Sequence, residues 1–178
     1  MKVSKRIFNL ETETAFAILA KANKLKAEGK DIINLGIGQP DFKTPKNIQD
    51  AAIKAIKDGF HGYTPSNGIL ELREAISEMI YDNYNSEINP DNVLITPGGK
   101  PVIFFCALIF GGKENEIIYP DPGFPIYRSM IKYSGAKPVP LVLSEEDDFQ
   151  ININKLEKLI NDRTSLIIIN NPNNPTGS

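Results

Sequence analysis

The feature that most constrains this chain is the alternation in its second half. Four strand-like runs, Val93–Thr96, Glu116–Tyr119, Ala136–Leu143 and Ser165–Asn170, are separated by stretches of helical character at 101–110, 124–134 and 153–161. Strands joined through helices lie parallel, and the expected fold class is an α/β domain built on a parallel sheet. The first half reads differently. Thr14–Glu28 sets Ile18, Leu19, Ala22 and Leu25 on one helical face, with Gly29 as the stop. Ile32–Leu35 is strand-like, and the glycine- and proline-rich stretch from Gly36 to Pro45 is a loop. Thr44-Pro45 opens a helix that runs to about Lys57, and Gly59 ends it. After the loop Phe60–Asn67, a third helix carries Leu72, Ile76, Met79 and Ile80 and finishes near Asn83.

Composition removes several function classes. Lys plus Arg number 20 against 22 Asp plus Glu, and a net charge of −2 gives no general attraction to nucleic acid or to anionic lipid. Any anion site must therefore be local. The single cysteine, Cys106, excludes an intrachain disulfide and a cysteine-based metal cage, and its place in the apolar run Val102–Phe110 predicts buried packing. No metal site is expected. The basic start is followed by Asn9, Glu11 and Glu13 rather than by an apolar stretch, and the longest apolar run is far short of a membrane span. A cytoplasmic location is the default expectation. The acidic cluster Glu145–Asp148 reads as a solvated loop, His61 as a solvent-exposed loop residue, and Glu71 and Arg73 as helix surface or dimer contact.

Val93-Leu94-Ile95-Thr96-Pro97-Gly98-Gly99-Lys100-Pro101 reads as a strand, a glycine turn and a helix whose first position is proline. Glycines let backbone N–H groups approach an anion, a helix N-terminus adds partial positive charge, and Lys100 adds a full one. A phosphate fits such a turn, as does the plain alternative of a tight strand-to-helix connection. The spacing matches neither the Walker loop nor the dinucleotide fingerprint. Tyr119–Pro125 and Asn170–Gly177 also follow strands, and in an open α/β sheet the carboxyl ends of strands form the ligand crevice. There, Phe124 can stack on a flat ring and Asn174 can donate to a ring oxygen; core packing and turn chemistry are the competing explanations.

Five segments, taken together, resemble the class I/II aminotransferases of fold type I, in the aspartate-aminotransferase style. They are Gly36–Phe42, Tyr63–Gly68 with Leu72-Arg73, Thr96–Lys100, Tyr119–Tyr127 and Asn171–Gly177, and their order and spacing match from about residue 10 to the last residue. The resemblance implies a mixed, mostly parallel large-domain sheet with helices on both faces. It divides the chain into an arm and the start of a small domain at 1–44, and the first part of the cofactor-binding domain at 45–178. Pyridoxal 5'-phosphate is the implied cofactor. Gly98, Gly99 and Lys100 fall at its phosphate turn, Phe124 where an aromatic residue stacks on the ring, and Asn174 where an asparagine contacts the ring hydroxyl. Tyr63 matches a tyrosine that reaches the phosphate of the neighbouring subunit, which implies a homodimer. Gly38 lies in the loop that closes over the substrate carboxylate, and Asn174 is shared with the substrate. Amino acids and 2-oxo acids are the implied substrates. Aspartate with 2-oxoglutarate is the leading expectation, with Lys100 a partner for a side-chain carboxylate.

The departures matter as well. Pro101 replaces the family's usual glutamine and removes one backbone donor from the turn. The family's pyridinium-pairing aspartate, ring-oxygen tyrosine, Schiff-base lysine and carboxylate-binding arginine have no counterpart here, so no catalytic residue is assigned. A chain that ends in a turn just after a strand is expected to be truncated, inactive alone, and prone to aggregate for want of the family's intervening strands. Two other readings remain at this stage: a short non-catalytic paralogue that binds or regulates a partner, and a lyase or synthase using the same cofactor. Pro175 and a proline near Asp121 are candidates for cis bonds.

Overall fold

A computed structural model describes residues 2–10, 14–36 and 38–178. Glu11, Glu13 and Ile37, which figure in the segments above, lie outside them. The chain divides into two compact units, one of Met1–Asn23 with Gly98–Ser178 and one of Lys24–Pro97.

The first unit holds a three-stranded parallel sheet of β1 (Glu116–Asp121), β2 (Lys137–Val142) and β3 (Thr164–Ile167), in the order β2-β1-β3. β1 takes the centre because both of its faces are apolar. Ile117 and Tyr119 pack with Tyr127 and Ile131 of α5 (Ile126–Ser134), and Ile103 of α4 (Lys100–Phe110) joins them. Ile118, one residue out of phase, packs on the opposite face with Val139, Leu141 and Leu143, where Leu156 of α6 (Ile153–Glu157) covers it. Helices thus lie on both faces, as a parallel sheet requires. Ile117, Ile118 and Ile131 are fully buried. Each such side chain contributes about 1.5–3 kcal/mol relative to leaving it in water.

The amino ends of the three strands are pinned by one carboxylate. Glu116 accepts from Lys137 Nζ at 3.1 Å and Asn161 Nδ2 at 3.1 Å, and it pairs with Arg163. The Asn161 and Lys137 hydrogen bonds hold its carboxyl below the usual carboxylate range. Beside it the β1–β3 register slips, with Glu116 opposite Thr164 but Ile117 opposite Leu166. The extra residue, Ser165, donates to Phe110 O at 2.5 Å and so ties the bulge to the end of α4.

Several sequence expectations change here. Val93–Thr96 forms no strand: it has no ladder partner among the described residues, and Ile95 N donates instead to Asn67 O at 3.0 Å. Ile32–Leu35 is likewise unpaired, with Leu35 91% exposed. Cys106 is half-buried rather than core, because the run Val102–Phe110 turns only part of its surface to the sheet. The acidic cluster is not merely solvated. Asp147 accepts from Ser144 Oγ at 3.0 Å, Asn152 Nδ2 at 3.1 Å and Lys155 Nζ at 2.5 Å, and the Lys155 bond, first among these, lowers its carboxyl below the usual range.

The Lys24–Pro97 unit contains α2 (Lys46–Lys57) and α3 (Leu70–Tyr84), while α1 (Thr14–Ala27) spans the boundary. Its anchor is Arg73, which the sequence places on a surface and the structure buries. Arg73 Nε donates to Gly68 O at 3.2 Å, and its NH1 donates to Pro90 O at 2.8 Å and Asp91 Oδ1 at 3.1 Å. Gly68 has φ of +101°, and a Cβ there would lie 2.5 Å from Ile95 Cγ1. Only glycine lets the chain present that carbonyl to Arg73.

Candidate functional site

In the first unit the loop that carries Phe124 meets the start of α4, and a third segment is tied to that loop. The turn before the helix is set by Gly98, whose φ of +87° lies in the left-handed region that side chains avoid. A Cβ built on Gly98 or Gly99 would meet nothing within 4 Å, so the backbone of this turn borders open space. Gly99 is the N-cap and brings no side-chain cap, and there is no acidic residue in the first helical turn. Pro101 contributes no N–H to the first turn, and the remaining amides and the helix dipole favour an anion.

Lys100 adds its ammonium at the same end. Its Nζ lies 5.8 Å from the centroid of the Phe124 ring and 6.0 Å from that of Phe16, on α1. Phe124 itself meets Tyr127 edge-on at 5.9 Å. It is half-buried, with part of its ring packed against the cluster around Ile117. Burial raises the Tyr127 hydroxyl above its ordinary value.

The third segment is the turn after β3. Asn173, which has no role in the sequence reading, organises it: its N–H donates to Ser178 O at 2.8 Å, its O accepts from Gly177 N at 2.7 Å, and its Nδ2 donates to Thr176 Oγ1 at 2.8 Å. The same Nδ2 reaches Pro122 O at 3.3 Å, tying this turn to the loop that carries Phe124. Asn173 is buried, and its Oδ1 has no hydrogen-bond partner among the described residues. The neighbouring Asn174 is exposed. The peptide bonds preceding Pro122, Pro172 and Pro175 are cis. The only sequence signal for Asn173 is its place between Pro172 and Pro175, where an asparagine suits a turn. Phe16 had no signal beyond helical spacing.

Structure thus brings Gly98, Gly99, Lys100 and Phe124 to one place and links the Asn174 turn to it through Asn173. Gly38 and Tyr63 belong to the other unit, where both are exposed. His61 is exposed as expected. Among the described residues no group of three or more His, Cys, Asp or Glu can hold a metal ion, and no helix is long and apolar enough to cross a membrane. The donor set fits a phosphorylated aromatic ring: an open glycine turn at a helix N-terminus for the anion, and an aromatic side chain with a cation beside it for the ring.

Comparison with known proteins gives this geometry a context. The sequence profile described as Aminotransferase class I and II matches residues 30–178. The (5-formylfuran-3-yl)methyl phosphate transaminase of Methanocaldococcus jannaschii is 45% identical over 98% of this chain and 45% of its own length. The aspartate aminotransferase of Bacillus subtilis is 40% identical over 99% of the chain and 45% of its own length. Among solved structures, aspartate aminotransferase from Thermus thermophilus with maleate superposes with a TM-score of 0.91 at 30% identity, over 98% of this chain and 46% of that one. The chain spans a little under half the length of these relatives.

Proposed function

The chain belongs to the class I and II aminotransferases, and on that premise we propose that the whole protein transfers an amino group from an L-amino acid to a 2-oxo acid with pyridoxal 5'-phosphate as cofactor. The observation that carries this reading is the convergence at the start of α4, where the open Gly98-Gly99 backbone and the Lys100 ammonium of one segment meet the Phe124 ring of another in the same unit. The cofactor, when bound, supplies the electron sink that lets an amino acid exchange its nitrogen. Residues 1–178 then serve to hold and orient it. Gly98 and Gly99 bind the phosphate through backbone N–H groups, Phe124 stacks on the ring, and Asn174 donates to the ring oxygen and contacts the substrate. Gly38 covers the substrate carboxylate, and Tyr63 reaches the phosphate of a second copy in a homodimer. Its full exposure suits that role. No residue of 1–178 is assigned the proton transfer or the covalent hold on the cofactor.

Aspartate with 2-oxoglutarate is the proposed substrate pair. The Bacillus subtilis relative is named for aspartate, and the Methanocaldococcus jannaschii relative for a phosphate ester, so both names carry an anion for which Lys100 is suited. The full-length protein, loaded with cofactor and mixed with L-aspartate but no oxo acid, is expected to release one equivalent of oxaloacetate per site. Release with no common amino acid at all would refute the reading. Gly98→Ala, strained at its positive φ, is expected to weaken cofactor retention on dialysis roughly tenfold or more.

A further inference from the structure

Asn67-Gly68, in the Lys24–Pro97 unit, is the one asparagine–glycine pair in the sequence, and the cofactor reading gives it no part. In such a pair a main-chain nitrogen can attack the preceding side-chain amide with little obstruction, because glycine has no side chain beside the nucleophile. The attack needs two things. The Gly68 nitrogen must lose its proton, and the peptide unit between the two residues must turn until that nitrogen meets Asn67 Cγ. The folded loop denies both. That peptide unit is hydrogen-bonded on each side: Gly68 N donates to Pro65 O at 3.0 Å, and Asn67 O accepts from Ile95 N at 3.0 Å. Gly68 O is held by Arg73 Nε at 3.2 Å, and the guanidinium is anchored in turn on Pro90 O at 2.8 Å and Asp91 Oδ1 at 3.1 Å. The Ile95 side chain stands so close that a Cβ on Gly68 would lie 2.5 Å from its Cγ1, which leaves the backbone no room to turn. Yet Asn67 and Gly68 are only half-buried, and Pro65, Ser66 and Ile69 beside them are exposed, so base and water reach the pair as soon as the loop opens locally.

We propose that Asn67 is a self-modification site, at which the Gly68 nitrogen displaces the side-chain amide whenever the clasp formed by Pro65, Ile95 and Arg73 opens. Base takes the proton of Gly68 N, a bond forms from that nitrogen to Asn67 Cγ, and the Cγ–Nδ2 bond breaks, with Nδ2 leaving as ammonia after taking a proton from water. Water then opens the cyclic imide, at Cγ to give aspartate or at the main-chain carbonyl to give isoaspartate. The isoaspartate product carries the main chain through an extra methylene, which moves Gly68 O off Arg73 and leaves the loop unclasped for good. Water is the only co-reactant.

The test follows the full-length protein in mildly alkaline buffer, folded and in guanidinium chloride, with the tryptic peptide that contains Asn67 separated and weighed over time. Folded wild type is expected to convert about tenfold or more slowly than the denatured chain, and exchange of the Gly68 amide hydrogen should be slowed by a similar factor, since both reactions need that N–H released from Pro65. Arg73→Lys, which lacks the planar fork, should speed conversion of the folded protein roughly threefold or more and leave the denatured rate unchanged. Asp91→Asn, at a side chain 81% exposed, weakens the same clasp more gently and should act in the same direction. Asn67→Gln, which would have to close a larger ring, should stay unmodified over the same period. Equal rates in the folded and denatured protein, folded variants that convert no faster than wild type, or no conversion at Asn67 even in the denatured chain would each overturn the proposal.

Discussion

The isoleucines of β1 and those of α2 behave in opposite ways. Ile117 and Ile118 in β1 are fully buried, whereas Ile56 in α2 is 74% exposed and α2 buries no residue at all. The sequence pattern of α2 is as amphipathic as that of α5, whose Tyr127, Ser129 and Ile131 are buried. The difference lies in what each apolar face meets. β1 is flanked by strands on both edges and covered by helices on both faces, so its side chains from Glu116 to Pro120 are buried and Asp121 alone among its residues is exposed. Among the described residues of the Lys24–Pro97 unit the buried one is charged, Arg73, held by hydrogen bonds to the Gly68 and Pro90 carbonyls.

The largest effect that can break this comparison is a cavity in the central strand. In a polypeptide of residues 1–178, Ile117→Ala is expected to cost about 2–5 kcal/mol and to speed hydrogen exchange of the β1 amides by roughly 30-fold or more. Ile56→Ala should leave the α2 amides within about twofold of their original rate, since an exposed side chain has little packing to lose. Equal sensitivity at the two positions would show that something covers the apolar face of α2 after all.

Next in size is Arg73. Replacing it with alanine leaves the Pro90 and Gly68 carbonyls without their donor in a partly closed site, at a cost of about 1–3 kcal/mol. Arg73→Lys should recover only part of this, because an ammonium lacks the planar fork that spans the two carbonyls and Asp91. Urea unfolding monitored on probes placed in Lys24–Pro97 would read the loss. If it were as small as that of a surface substitution, the polar anchor would not be what holds that unit together.

The same contrast explains what the sequence disclosed. The parallel sheet was legible because β1 and β3 depend on local apolar runs and on the helices between them. Val93–Thr96 has the composition of a strand but, among the described residues, no strand to pair with, and composition does not report on pairing. Arg73 was misread for a related reason: its partners, Pro90 and Asp91, lie 17 and 18 positions away, beyond the reach of helical periodicity. At the site, the glycine turn and Phe124 announced themselves through unusual local chemistry. Phe16 did not, since a phenylalanine on a helix looks the same whether it faces a core or a cation, and Asn173 was hidden in a run of asparagines and prolines.

The smallest expected effect concerns acid. The hydrogen bonds from Asn161 and Lys137, with the charge of Arg163, hold the Glu116 carboxyl lower in the folded state than in the unfolded chain. Unfolding therefore takes up a proton at moderately acid pH, and this contribution to stability is fully present above the unfolded value and lost as the pH falls through the folded one. Asp147 carries the same sign through Lys155, Asn152 and Ser144. Glu116→Gln should accordingly flatten the acid limb of a stability-versus-pH curve for the sheet unit, lowering stability at neutral pH more than at pH 3, with Asp147→Asn doing the same independently. Because both carboxylates belong to the unit containing the sheet, β1 amide exchange should accelerate on acidification in the wild type and less so in the double variant. A double variant with an unchanged acid limb would mean that these carboxylates anchor the strands by geometry alone, and that the stability of the sheet unit comes from its buried isoleucines without measurable help from charge.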